Sequence, residues 1–529
     1  MTTSHFPANE NAPGDGVEAL TDWMARQYRF SATAMLRAIS ATELVKERRG
    51  FGQTIRPLPG SVLASPEMAS YDPDPDYFFH WLRDSALVMD ALRVLIADLT
   101  LKPEALAYVD DFVKFSLALC RLDGADFVKR VDFGALIDPA SRALARSDSE
   151  LSQVVGDRVL GEPRFNPDGT LDIIKWGRPQ HDGPALRALT LLRYCRSGAL
   201  WDRLNRASMT ELLERDLDFT LHHWREPCFD LWEETFGHHY HTRLVQYAAL
   251  TEGAAWMAAR GDTARARSYH LAAQEIGRCL DAHFDRDEGV YLSHAVDAPS
   301  GAGLLDAKRL DIAIILAVIQ AARPEGRHSV VDPQTLATLA RLEALFDKEY
   351  EINRESAADH APAMGRYAGD VYFSGGAYYF STLGAAQYYF SFAEAVGRGA
   401  AVEVSAENRP LLARLLAKPP DSLGVALIEQ RLRERLFDAL LHRGDMYMAM
   451  VRAHAPSSGE LSEQFDGSNG AQTSAKNLAW SYAAFITAYA SRRAALHRRR
   501  LNQTSQFENS AERAYFEDER DSNEQQAGS

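Results

Sequence analysis

Cysteine is scarce: four occur in 529 residues, Cys120, Cys195, Cys228 and Cys279, and they stand far apart. That spacing excludes CxxC metal ligation and a dense disulfide framework, and it predicts reduced, mostly buried thiols. Basic residues are the minority, with 58 Lys and Arg against 73 Asp and Glu and a net charge of −15. Such a balance argues against a nucleic-acid surface and against an anionic membrane. Long apolar runs are missing too. The most apolar stretch, 312–319, is far below the roughly 20 residues that span a bilayer. Residues 1–16 have neither a basic start nor an apolar run and carry Glu10 and Asp15, so they do not read as a secretory signal, and a cytoplasmic chain is expected. No Walker loop, dinucleotide fingerprint or GxSxG elbow accompanies a strand and helix, and no cofactor is expected. No Pro/Gly/Ser-rich linker divides the chain. The length prior of roughly 100–200 residues per domain therefore overcounts, and one large unit is expected.

Strict alternation is also rare, whereas apolar residues recur at three- and four-residue spacing, as in Leu87, Met89, Leu92, Leu95 and Ile96. The pattern predicts an all-α fold with about twelve helices, near 18–41, 84–98, 104–120, 182–196, 208–223, 239–260, 263–283, 309–322, 335–348, 376–396, 423–442 and 474–491. Long loops rich in Trp, Tyr, Arg, Asp and Gly precede the second, fourth, sixth, tenth and twelfth of these, and a shorter one precedes the eighth. If the even-numbered helices form an inner ring, all these loops converge on one end of a barrel and build a single concave site. From Arg498 the apolar pattern stops, so 498–529 is expected to be a disordered polar tail, 1–17 a flexible segment, and 18–497 the folded unit.

The chemistry is concentrated in a few loops. Phe229-Asp230-Leu231-Trp232-Glu233-Glu234 crowds three carboxylates around a tryptophan. Mutual repulsion should raise at least one pKa, and an acid that stays protonated can donate to a leaving group. A partner lies in Leu461-Ser462-Glu463-Gln464-Phe465-Asp466, ahead of Trp480-Ser481-Tyr482. Two acids from distant segments can flank one glycosidic bond, although either cluster alone also reads as a solvated helix cap. Pro75-Asp76-Tyr77-Phe78-Phe79-His80-Trp81-Leu82-Arg83-Asp84 supplies flat rings, a guanidinium fork and a carboxylate suited to sugar hydroxyls, or else an aromatic cluster with a capping ion pair. Arg164, Trp176 and Gly177 lie in a second such loop, and Arg366 and Tyr372 in a third. His238, His239 and His241 are spaced by one and two residues, which does not put two imidazoles on one helix face, and no metal site is expected.

In this order the loops resemble glycoside hydrolase family 15, the glucoamylases. The matching segments are PDYFxxWxRDS at 75–85, LGEPxFN at 160–166, WGRPQxDGPALRA at 176–188, FDLWEE at 229–234, GRYxxDVY at 365–372 and SEQFD with W-S-Y at 462–482. The resemblance implies an (α/α)6 barrel and an exo-acting, inverting α-glucosidase that releases β-glucose from nonreducing ends of α-glucans or maltooligosaccharides. It implies Glu233 as general acid and Glu463 as general base, with a carboxyl separation of about 6.5–9.5 Å to leave room for water. It also implies sugar contacts from Tyr77, Trp81, Arg83, Asp84, Trp176, Gly177, Asp230, Trp232, Glu234 and Arg366. Arg164, Tyr372 and Trp480 join them as candidate substrate-binding residues, and a monomer is favoured. Phe229, His181, Gly369 and Tyr378 depart from the family's usual residues, which leaves the α-1,4 against α-1,6 preference open. A trehalase, an α-1,6-specific hydrolase and a noncatalytic glucan-binding protein on the same barrel are the rival readings.

Overall fold

A computed structural model describes residues 19–69, 73–130, 132–295, 308–355, 360–424 and 427–527. The expected flexible segment 1–17 lies outside them. Twelve helices carry the architecture: α1 Leu20–Leu36, α2 Leu82–Ala97, α3 Leu106–Leu119, α4 Asp182–Arg196, α5 Arg206–His223, α6 Tyr240–Ala259, α7 Thr263–Asp281, α8 Ala313–Ala321, α9 Pro333–Glu349, α10 Tyr379–Gly397, α11 Gln430–His454 and α12 Ala479–Ala527. The even-numbered helices pack in sequence, α2 on α4, α4 on α6, then α8, α10 and α12, and α12 returns to α2. This closed ring, with the odd-numbered helices outside it, is the (α/α)6 barrel.

Burial separates the two rings. An outer helix such as α7 buries one stripe, Tyr269, Ala272, Ala273, Ile276 and Leu280, the spacing of an amphipathic helix. Inner helices are covered on nearly all sides, and α8 buries eight of its residues, Gln320 being the polar one among them. One continuous apolar core joins helices of both rings. A smaller cluster, including Phe115, Ile137, Leu151, Phe165 and Ile173, lies under the excursion between α3 and α4. Between α4 and α5, Arg187 and Asp216 form a fully buried, two-bond ion pair at 2.7 and 2.8 Å.

One helix boundary is corrected, and the segment from 498 lies within α12, which runs through Ala527. Its Glu, Gln, Arg and Ala residues cannot make a core, but they are good helix formers, and the failure of apolar periodicity does not end a helix already nucleated upstream. The helix expected to end at 442 runs to His454. It passes through Gly444, where a Cβ would stand 2.4 Å from the Phe390 ring. That glycine serves close approach to α10 and is not a stop.

Short antiparallel strand pairs lie at the entrances to the inner helices. His80–Trp81 pairs with Arg164–Phe165, Cys228–Phe229 with Phe236–Gly237, and Gln464–Phe465 with both Ala377–Tyr378 and Gln472–Thr473. They fix loop backbones directly above the ring.

Candidate active site

The inner-helix entrances surround a cavity of about 250 Å³. Thirteen of the fifteen candidate residues line it: Tyr77, Trp81, Arg83, Asp84, Trp176, Gly177, Trp232, Glu233, Glu234, Arg366, Tyr372, Glu463 and Trp480. Arg164 and Asp230 do not, and each acts from behind. Arg164 is fully buried, bonded to Asp172 at 2.8 Å, with its guanidinium 3.7 Å from the Trp176 ring centre and 4.9 Å from that of Trp81. It fixes both indoles from the side away from the cavity. The Asp230 carboxylate accepts from the amides of Glu234 and Thr235 at 2.8 and 3.0 Å and so builds the turn that presents Glu233.

That turn is tight. Glu233 takes a left-handed backbone, φ 66°, which costs an ordinary residue of order 1–2 kcal/mol. Its carbonyl comes so near Gly177 that a Cβ there would lie 2.8 Å away. Only glycine permits this approach between the two loops. The Glu233 carboxylate then accepts from Trp81 Nε1 at 2.7 Å, Gln180 Nε2 at 2.9 Å and Arg83 Nη2 at 3.4 Å, and from Trp176 Nε1 on its other oxygen. Four donors from two other loops hold it in one orientation.

Glu463 is held from a different quarter. Its amide bonds the Ala475 carbonyl at 2.8 Å, and its own carbonyl accepts from the Tyr379 amide at 3.2 Å, so the residue is pinned beside the three-stranded patch. The side chain accepts from Tyr77 Oη at 3.3 Å and from Ser474 Oγ. Tyr77 and Tyr372 share a hydroxyl bond of 2.7 Å. Burial pushes the Glu463 carboxyl up to about 7, with Ser474, Arg366 and Tyr77 pulling the other way.

At the foot of the cavity, Asp84 is raised to about 6 by burial, against the pull of Arg83 beside it. Arg83 Nε and Asp84 Oδ2 are both buried and face each other as an ion pair at 3.4 Å, too poorly aligned to count as a hydrogen bond. A buried guanidinium–carboxylate pair at a cavity wall that lacks hydrogen bonds on these atoms is suited to ligand hydroxyls, which can donate to the carboxylate and accept from the guanidinium. The apolar wall is the Phe380 and Trp480 stack, ring centres 4.1 Å apart and nearly parallel.

At the cavity's outer edge, Glu234 accepts from Arg366 at 3.0 Å, Tyr367 at 2.5 Å and Lys308. Arg366, Lys308 and the Tyr367 hydroxyl hold its pKa below the usual carboxylate value despite burial. In the 229–234 cluster the raised carboxyl is Asp230, and its main cause is burial, with repulsion from Glu234 a smaller one. Asp311 was not foreseen. It accepts from Trp232 Nε1 at 2.8 Å, and burial lifts it to about 8. Gln180, Tyr378, Phe380, Ser474 and Lys308 were also missed as site residues; Gln180 stands inside the quoted WGRPQ segment, while Ser474 and Lys308 carry no sequence signal. The three histidines are used separately: His239 Nε2 meets the Cys228 carbonyl at 3.0 Å and His241 Nε2 meets Gln320 at 2.8 Å.

A helical ring that turns four carboxylates, four tryptophans and two arginines towards one cavity has the make-up of a glycoside-cleaving enzyme. The chain belongs to glycosyl hydrolases family 15, whose sequence profile matches residues 49–113 and 137–490. It is 28% identical over 490 residues to glucoamylase 1 of Rhizopus oryzae, covering 89% of this chain and 71% of that protein. Glucoamylase P of Amorphotheca resinae is 31% identical over 438 residues, covering 81% of this chain and 64% of the relative. Among solved structures, the Hormoconis resinae glucoamylase superposes with a TM-score of 0.72 at 26% identity, over 90% of this chain and 74% of that one.

Proposed function

We propose that the protein is an exo-acting inverting α-glucosidase of the glucoamylase type, removing glucose from nonreducing ends of α-1,4-linked glucans or maltooligosaccharides and accepting α-1,6 links as well. The observation that carries this reading is the placement of Glu233 and Glu463 on separate, rigid supports at one cavity that also offers the buried Arg83–Asp84 ion pair to the hydroxyls of a terminal sugar. Glu233 gives its proton to the glycosidic oxygen as the bond to C1 breaks. Glu463 takes a proton from the water that attacks C1 from the opposite face. Trp81, Trp176 and Trp480 offer flat apolar faces to the ring, and Arg83 and Asp84 bind its hydroxyls.

Proton NMR of glucose released from maltotetraose, recorded within minutes, is expected to show the β anomer first. Initial α-glucose would mean retention and would sink the mechanism. Release from trehalose or isomaltose in preference to maltotetraose would move the assignment to the rival substrates.

Among the described residues, no helix is long and apolar enough to cross a membrane. We further read the chain as cytoplasmic, which the four free cysteines favour because reducing compartments keep thiols unpaired. Fractionation of the native host is expected to leave the activity with the cells; activity in the medium would overturn that location.

A further inference from the structure

The inner helices start at the active site, so their C-terminal ends meet at the opposite end of the barrel. A second cavity opens there, of about 910 Å³ against about 250 Å³ for the first. Its walls come from the C-terminal parts of α2, α4, α8 and α10 and from 487–494 of α12. A smaller void shares Asp90, Arg193, Gln387 and Thr487 with it. That void ends at the Phe380 and Trp480 stack, which also walls the active-site cavity. The rear cavity and the active site share no residue.

Charge sets the rear cavity apart. The chain as a whole carries −15, yet this wall holds four arginines, Arg93, Arg193, Arg323 and Arg398, against three carboxylates, Asp90, Glu325 and Glu394. Two of the arginines share one acid: Arg93 Nε donates to Asp90 at 2.7 Å and Arg193 Nη1 at 2.6 Å. Against burial, the two hold the Asp90 carboxyl down to about 2, so the trio keeps one net positive charge at neutral pH. Arg398 pairs with Glu394 at 2.7 Å. Arg323 pairs with no carboxylate among the described residues; its Nε donates to the Arg327 carbonyl at 3.3 Å and its guanidinium lies 4.5 Å from the Tyr247 ring centre.

Helix C-termini carry partial negative charge, and arginines at such a mouth complement it. Arg193 does so at the Gln320 carbonyl, and Arg323 does so through Nε. That role does not use the terminal nitrogens of Arg93 and Arg323. Among the described residues none of these four makes a hydrogen bond, and all four stay accessible.

We propose that the rear cavity binds a phosphate dianion, free or carried on a sugar, through Arg93 and Arg323. A guanidinium presents paired N–H groups that match two phosphate oxygens. The dianion offsets the excess positive charge of the wall. Ser391 and Ser491 line the same cavity and offer hydroxyls to a sugar attached to the phosphate. The proposal does not depend on the catalytic reading above.

Phosphorus NMR and calorimetry with glucose 6-phosphate and with inorganic phosphate test it. One site is expected in the unaltered protein. Arg93→Gln and Arg323→Gln should each weaken binding about tenfold, the size of one charge-assisted bond. Arg323→Gln breaks no ion pair, so its melting temperature should match that of the unaltered protein and loss of binding cannot be laid to unfolding. Tighter binding of glucose 6-phosphate would assign the sugar-borne phosphate, and equal binding the free ion; either supports the site. Excess maltotetraose in a Glu233→Gln background should leave phosphate binding unchanged. Loss of binding there would place the probe in the active site and overturn the proposal. Binding that neither arginine variant weakens would leave the arginines as caps of helix ends, and no binding of either probe would leave the cavity to water; both overturn it as well.

Discussion

Glu233→Gln is expected to lower kcat on maltotetraose about a thousandfold, within the range that a positioned proton donor contributes, while maltotetraose binding survives. An amide of the same shape cannot release a proton to the glycosidic oxygen. The substitution also disturbs the cradle. Both carboxylate oxygens accept from N–H donors, Trp81, Arg83 and Gln180 on one side and Trp176 on the other. A glutamine must turn its NH2 towards one of them, so two donors meet. Single-turnover kinetics measure the chemical step, and calorimetry of the same variant measures binding. A loss of less than about tenfold in the chemical step would move the proton donor elsewhere in the cavity.

Glu463→Gln should cost a comparable factor, about a thousandfold, for a different reason that a second reagent can expose. The amide cannot take the proton of an attacking water, but it leaves the space for that water intact. Azide needs no proton removed, so adding azide is expected to restore bond cleavage and give β-glucosyl azide by attack from the water's side. The unaltered enzyme adds a pH signature. Burial lifts Glu463 to about 7, and the group must be ionised to act. Its raised value means that it takes up its proton as pH falls through neutrality, so kcat/KM should decline on that acid side, well above the ordinary carboxylate range. The limb should vanish in Glu463→Gln. An unaltered enzyme that keeps full kcat/KM down to pH 4 would contradict the assignment of Glu463 as base.

Helix number was legible from the three- and four-residue recurrence of apolar residues, and the inner ring from the loops that precede every second helix. The aromatic loops before alternate helices marked the end of the barrel where the ring opens. The ends of helices were less legible. Gly444 looks like punctuation in a linear sequence, and its role appears only when Phe390 is placed opposite it. The two acids proposed as the catalytic pair stood out among aromatics, whereas Arg164 and Asp230 have the same residue types as sugar ligands but lie one layer back from the cavity. Asp311, Ser474 and Lys308 approach from 79, 11 and 74 residues away from their partners. No local pattern encodes contacts at such separations, since they depend on how the ring closes.

That closure has a consequence for the order of synthesis. The last inner helix begins at Ala479 and packs against α2, which begins at Leu82. Glu463 and Trp480 are thus made when five of the six inner helices have already left the ribosome. Until then the emerging chain has an open seam where α12 belongs, with one carboxylate of the pair missing and the Phe380 ring without its stacking partner. With Glu463 as the proposed base, chains stopped before the final helix are expected to be inactive, and activity should appear only when that helix fills the gap between α10 and α2.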